Sequence, residues 1–312
     1  MTKILWAASD EVWSKFEAPL RREIAAQMPE AELVVGPHDP AEIEYMVYAP
    51  NGPVKSFDDY TRLKLVQNIW AGVDLILANP DKPNCPVARM ADTGMAEGMS
   101  DYVLGHVLRH HLQTDYFASM SPGEWFHDDP PPLARDRKVA ILGLGNLGIY
   151  CGQRIASQGF EVHGWSRSEK HVEGIKTYAG DQGFLDILGK AEIFVLLLPN
   201  TPQTQNIINA DTLARMPKGA SIINAGRGDA IVDADLISAL TSGHISQATL
   251  DVFRQEPLPK DDPYWTTPNV LITPHVAAET RASTACIFAL QNFVRGEKGE
   301  PFLALVDMEK GY

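Results

Sequence analysis

Cysteine is scarce: Cys85, Cys151 and Cys286 are the three in 312 residues, too few and too scattered for a disulfide framework or a structural zinc site. Long apolar runs are missing too. Even a run such as residues 193–198, which none exceeds, falls far short of the roughly 20 residues that cross a bilayer. The opening segment reaches Asp10 and Glu11 before a signal-peptide core could form. Basic side chains are outnumbered, 27 against 40 acidic ones for a net charge of −13. That balance argues against nucleic acid or an anionic membrane as a partner, since both call for a positive surface. There is no HExxH helix, no Cys/His ligand cluster, no low-complexity tract and no fixed-period repeat. The expectation is a soluble, cytoplasmic protein with no metal.

What is present is ordinary globular composition, 45% hydrophobic and 21% charged, in a chain long enough for two domains. Short β-like runs at 4–7, 33–35, 45–48, 65–70 and 87–90 alternate with helix-like stretches, the βαβ pattern of a parallel sheet. Pro19 predicts a helix only from about itself onward, over 20–28. Residues 100–120 read as one long helix capped by Ser100-Asp101. Asp128-Asp129-Pro130-Pro131-Pro132 reads as a stiff spacer. After it the alternation restarts, with six buried strands expected at 139–142, 161–165, 193–198, 221–224, 248–252 and 270–273. Six such strands match a complete doubly wound Rossmann sheet. A last helix is expected at 280–295, ending at Gly296.

Gly143-Leu144-Gly145-Asn146-Leu147-Gly148 follows the first of these strands and opens an amphipathic helix. Gly143 permits the turn, Gly145 lets a pyrophosphate approach the backbone, and Gly148 lets helix and strand pack closely. The helix start at Asn146 and Leu147 offers N–H groups and partial positive charge to the phosphates. An NAD site places an acid about 20 residues on, at the end of the second strand. Here that strand ends in Ser166-Arg167-Ser168. A guanidinium between hydroxyls suits a 2′-phosphate, which predicts NADP(H) in preference to NAD(H); a solvated loop arginine is the alternative.

Three more residues stand just beyond strand ends, on the edge where such sheets bind ligands. Arg227 lies in Asn224-Ala225-Gly226-Arg227-Gly228, Glu256 in Leu250-Asp251-Val252-Phe253-Arg254-Gln255-Glu256-Pro257, and His275 follows Thr273-Pro274. A cation, an anion and an imidazole aimed at one crevice suit hydride transfer to a 2-keto acid. His275 can protonate the oxygen as charge grows on it, and Glu256 can fix the imidazole tautomer. Arg227 can polarise the carbonyl and pair with the substrate carboxylate.

At these residues the chain resembles the D-2-hydroxyacid dehydrogenase family, nearly end to end. The resemblance runs through Gly143–Gly148, Leu198-Pro199-Asn200-Thr201-Pro202-Gln203-Thr204, the Arg227, Glu256 and His275 segments with their spacing, and Pro274-His275-Val276-Ala277-Ala278. Asp92-Thr93-Gly94-Met95, Glu256-Pro257-Leu258-Pro259 and the closing Gly311-Tyr312 resemble the members that reduce glyoxylate and hydroxypyruvate. Pyruvate or a bulkier 2-keto acid is the alternative substrate, and a dinucleotide-sensing binding protein the alternative class.

The resemblance implies two doubly wound parallel-sheet domains of α/β class. A flavodoxin-like substrate domain would take residues 1–100 plus 285–312, and the Rossmann domain 101–284, with two hinge helices. It also implies a homodimer through the cofactor domains, an arm from Trp125 to Leu133 reaching the partner. By position, the loop Trp70-Ala71-Gly72-Val73-Asp74 would receive the substrate carboxylate on backbone N–H groups. Tyr48 and Met95 would line the pocket or pack in the core. Asp251 would bond the nicotinamide amide, and Leu198, Pro199, Thr204, Ala225 and Ala277 would touch the cofactor.

Overall fold

The computed structural model describes residues 1–125 and 130–308, so His127, Asp128, Asp129 and the closing Gly311-Tyr312 lie outside the described residues. The chain divides into two units: residues up to Met95 with those from Thr280 on, and Ala96–Glu279.

In the first unit the order is β1 (Lys3–Ala7), α1 (Asp10–Gln27), β2 (Glu32–Val34), β3 (Tyr45–Tyr48), β4 (Leu65–Asn68), α2 (Asp74–Leu77) and β5 (Val87–Ala88). The strands pair in parallel in the order β2-β1-β3-β4-β5, the flavodoxin-like winding. β3 and β4 are buried along their whole length, as strands covered on both faces are, and β4 ends in the buried polar pair Gln67 and Asn68. Leu5, Met46, Val66, Val73 and Ile76 pack together at the centre.

The helix expected only after Pro19 begins at Asp10 instead and runs through the proline. Proline costs one hydrogen bond and strains a helix interior by about 3 kcal/mol. The opposing gain is the stripe Phe16, Leu20 and Ile24, buried at four-residue spacing.

The second unit contains most of α3 (Thr93–His111), then α4 (Thr114–Ala118), β6 (Lys138–Leu142), α5 (Asn146–Ser157), β7 (Glu161–Ser166) and β8 (Ile175–Ala179). It continues with α6 (Gly180–Leu188), β9 (Ile193–Leu196), α7 (Ala210–Leu213), β10 (Ala220–Asn224), α8 (Asp233–Thr241), β11 (Ile245–Leu250) and β12 (Val270–Ile272). The parallel order is β12-β11-β10-β9-β6-β7-β8. Counted from β6 this is the dinucleotide-binding winding with one strand added beyond the sixth.

Two expectations change here. The third strand of that winding, β8, was not among the six expected, because it is an edge strand, mostly half-exposed, with Lys176 on its outer side. The long helix at 100–120 instead starts at Thr93 and breaks at Gln113, whose φ of 54° is left-handed. Ser100 is not its cap: its hydroxyl turns back onto the Glu97 carbonyl at 2.9 Å, and Asp101 pairs with Arg154 at 2.6 Å. The last helix, α9, spans Ala282–Glu297, belongs to the first unit and packs on α1. Among the described residues no helix is long and apolar enough to cross a membrane.

Candidate active site

The glycine loop lies where the winding reverses, between β6 and β9. Gly143 has φ +110°, and a Cβ there would stand 2.5 Å from the Leu197 carbonyl oxygen. The N–H groups of Gly143 and Leu144 both reach the Trp165 carbonyl, at 2.9 and 3.1 Å. A Cβ on Gly148 would lie 1.9 Å from the Gly143 oxygen, so only glycine lets α5 start against the strand. Gly145 differs from both. Its φ of −77° suits any residue, and an added Cβ would meet nothing within 4 Å. Neither conformation nor packing calls for glycine there; open space before the N-terminus of α5, at Asn146 and Leu147, is what a pyrophosphate needs. The loop fits a dinucleotide.

At the end of β7, Ser166 donates its hydroxyl to the Ser168 carbonyl at 2.8 Å, and Arg167 and Ser168 are exposed. Lys170, not singled out by the sequence, extends back to donate to the Leu144 carbonyl of the glycine loop. Leu198 and Pro199 follow β9, and Thr204 closes their loop by donating to the Pro199 carbonyl at 2.6 Å. Ala225 and Ala277 are buried in one apolar cluster.

The β10, β11 and β12 ends carry the candidate set of cation, anion and imidazole. Arg227 follows β10, in a loop stapled by Asn224. The Asn224 amide donates to the Arg227 carbonyl at 3.0 Å, and its oxygen accepts the Gly226 N–H at 3.1 Å. One Arg227 nitrogen donates to the Gly226 carbonyl at 2.7 Å. Beyond β11, one Glu256 oxygen accepts the Phe253 N–H at 2.9 Å and the other stands 2.7 Å from Nδ1 of His275. Partial burial pushes the Glu256 carboxyl up. The bonds from His275 and Phe253, with the charges of His275 and Arg227, outweigh it and hold the group below its ordinary value. Arg227, Glu256 and His275 are thus electrostatically one group. With Nδ1 on the carboxylate, Nε2 is the ring atom left to exchange a proton. His110, by contrast, is buried against Thr249, and burial lowers its pKa to about 3.

His275 itself has φ +56°. Asp251, 1% exposed, holds that turn: it accepts the Val276 and Ala277 N–H groups at 2.9 Å each and the Thr273 hydroxyl at 2.5 Å.

In the first unit the loop after β4 is shaped by Asn68, whose amide donates to the Trp70 carbonyl at 3.0 Å and to the Gly72 carbonyl at 2.8 Å. Because a trans peptide sets N–H opposite C=O, the N–H groups of Ala71 and Val73 point away from Asn68. Tyr48 ends β3 beside this loop and is 3% exposed, its ring 5.4 Å from that of Phe57. Met95 is equally buried. Both sit in packed surroundings. Among the described residues no group of three His, Cys, Asp or Glu side chains is placed to hold a metal ion.

Fold and site together define a dinucleotide-dependent dehydrogenase. The model of the D-isomer specific 2-hydroxyacid dehydrogenase NAD binding domain matches residues 104–277, and the chain belongs to the D-isomer specific 2-hydroxyacid dehydrogenase family. It is 37% identical over 287 residues to glyoxylate/hydroxypyruvate reductase A of Salmonella heidelberg, covering 90% of this chain and 91% of that one. A D-isomer specific 2-hydroxyacid dehydrogenase from Xanthobacter autotrophicus Py2, solved with NADPH and MES, superposes with a TM-score of 0.93 at 37% identity, over 100% of this chain and 99% of that one. The NADPH-dependent glyoxylate/hydroxypyruvate reductase of Sinorhizobium meliloti, solved with NADP and sulfate, gives 0.85 at 32% identity over 100% of both chains.

Proposed function

We propose that this chain uses NADPH to reduce small 2-keto acids, glyoxylate and hydroxypyruvate first, to glycolate and D-glycerate. The observation that carries the reading is the 2.7 Å contact between Glu256 and His275, on a carboxylate that also feels the Arg227 charge. The reductases of Salmonella heidelberg and Sinorhizobium meliloti support the substrate class.

When bound, NADPH supplies the hydride for the keto carbon. His275 gives its Nε2 proton to the keto oxygen as negative charge grows there, and Glu256 steadies the ring through Nδ1. Arg227 pairs with the substrate carboxylate and draws charge from the keto oxygen. In the first unit the Trp70–Val73 loop, with the N–H groups of Ala71 and Val73, is the candidate carboxylate receptor, and Tyr48 lies beside it. One hydride and one proton turn the carbonyl into an alcohol; in the reverse direction neutral His275 takes the proton.

Gly143, Gly145, Asn146, Leu147 and Gly148 hold the pyrophosphate. Ser166, Arg167 and Ser168 take the 2′-phosphate, with Lys170 close behind. Leu198, Pro199, Thr204, Ala225 and Ala277 wall the nucleotide. Asp251 has three of about four acceptor sites in use and keeps one for the nicotinamide amide.

The working form is a homodimer through the cofactor unit. Leu112, Tyr116, Phe117, Trp125 and Leu133 are all exposed there, Trp125 at 97%, an apolar set that a second copy would cover. A reducing, cytoplasmic setting agrees with three unpaired thiols. The test is a panel of 2-keto acids with NADPH and NADH, followed by loss of reduced-nucleotide absorbance. Fastest turnover is expected with glyoxylate or hydroxypyruvate and NADPH; no oxidation by any small 2-keto acid ends the reading. Light scattering should give twice the 34.3 kDa chain mass.

A further inference from the structure

Behind the His275 turn runs a line of hydroxyl groups. Tyr102, on α3, places its oxygen 2.7 Å from the hydroxyl of Thr273, which lies 2.5 Å from Oδ1 of Asp251. A carboxylate only accepts, so the single Thr273 proton is committed to Asp251, and Tyr102 must be the donor to Thr273. The direction is therefore fixed: Tyr102 to Thr273 to Asp251. Burial raises the Tyr102 phenol to about 12, and the Asp251 charge adds to the rise against the opposing Arg109 charge. Tyr102 keeps its proton throughout the neutral range.

What Asp251 holds gives the line its importance. His275 adopts the left-handed conformation, which a residue with a Cβ avoids unless its surroundings impose it. The imposing contacts come from Asp251 and Thr273, the two residues at the end of the line. The His275 N–H is shared by the Asp251 carbonyl at 2.9 Å and the Thr273 carbonyl at 3.1 Å, and the next two N–H groups end on the Asp251 carboxylate. Hydrogen bonds in such a chain polarise and strengthen one another.

We propose that Tyr102 is a positioning residue for proton transfer: its hydroxyl, acting through Thr273 and Asp251, locks the turn that aims the His275 ring. The inference rests on the reading of His275 as the proton donor. Tyr102→Phe keeps the ring in place and removes the donor, which ends the polarisation of the Thr273 hydroxyl and weakens its bond to Asp251.

The test is a double-mutant cycle. Tyr102→Phe and Thr273→Val should each lower kcat for glyoxylate by about 3–10-fold, the size of one buried hydrogen bond. KM for glyoxylate and NADPH should change less than about twofold, and the double variant should lose no more than the worse single one. Thr273→Ser, which retains the hydroxyl, should behave as wild type. Unchanged kcat in Tyr102→Phe, or losses that multiply in the double variant, overturns the proposal.

A second readout needs no turnover. In protein with labelled histidine rings, the His275 resonance, assigned by its loss in His275→Ala, should move in Tyr102→Phe and Thr273→Val but not in Thr273→Ser. An unmoved resonance overturns the tether even in a fully active enzyme. A moved resonance in a protein that reduces no keto acid supports the tether and removes only the functional reading.

Discussion

Glu256 holds His275 at Nδ1 with one oxygen and the Phe253 N–H with the other, at 2.7 and 2.9 Å. The carboxylate is therefore fixed by the backbone before it meets the imidazole, and the ring inherits that orientation. An exposed pair at this distance would contribute little by itself. Its value lies in direction: with Nδ1 engaged, Nε2 is the ring nitrogen left for proton exchange.

Replacing His275 with alanine should lower kcat by about 10²–10⁴. NADPH affinity, followed by nucleotide fluorescence, should stay near wild type, because the glycine loop is untouched. Turnover close to wild type would remove His275 from the proton-transfer role.

The pH dependence follows from the direction of the Glu256 shift. Its carboxyl is held below the ordinary 4.5, so the stabilising contact with His275 is fully present above that value and is lost as pH falls through the lower, folded-state value. The thermal midpoint of wild type should exceed that of Glu256→Gln at neutral pH, with the gap closing below pH 4.5. Superimposable profiles would separate the two residues.

Arg167→Ala should raise the KM for NADPH by about 10-fold or more, the loss of one charged hydrogen bond. NADH kinetics should barely change. Equal effects on both nucleotides would show that the guanidinium does not read the 2′-phosphate.

Two glycines of one loop should fail in different ways. Gly148→Ala forces a methyl against the Gly143 carbonyl, where the gap is 1.9 Å, and overpacking of this type costs about 1–3 kcal/mol. Gly145→Ala meets no protein atom within 4 Å, so its thermal midpoint should match wild type while NADPH affinity drops. Calorimetry and nucleotide titration on the same two variants check both.

The parallel alternation, the glycine loop and the Arg227, Glu256 and His275 positions were legible because each rests on local pattern: apolar period, a strand-turn-helix frame, or a place just after a strand. Helix α1 was half hidden because Pro19 reads as a start, and only burial of Phe16, Leu20 and Ile24 reveals otherwise. β8 was hidden because it lies half-exposed at a sheet edge and has no apolar run. Asn68, Tyr102 and Lys170 left no mark in the sequence, and Asn224 stood there only as part of the Arg227 segment. Each acts on a loop through a carbonyl or hydroxyl whose position depends on folding, with Tyr102 and Thr273 lying 171 residues apart.

The clasp between Lys170 and the Leu144 carbonyl bears on any attempt to redesign nucleotide preference. A carboxylate installed at Ser166 to recognise a bare ribose would share its surroundings with an ammonium group already fastened to the neighbouring loop. The newcomer would be drawn to that cation before it could serve the sugar. Engineering toward NADH thus calls for exchanging Lys170 together with Arg167, as one unit.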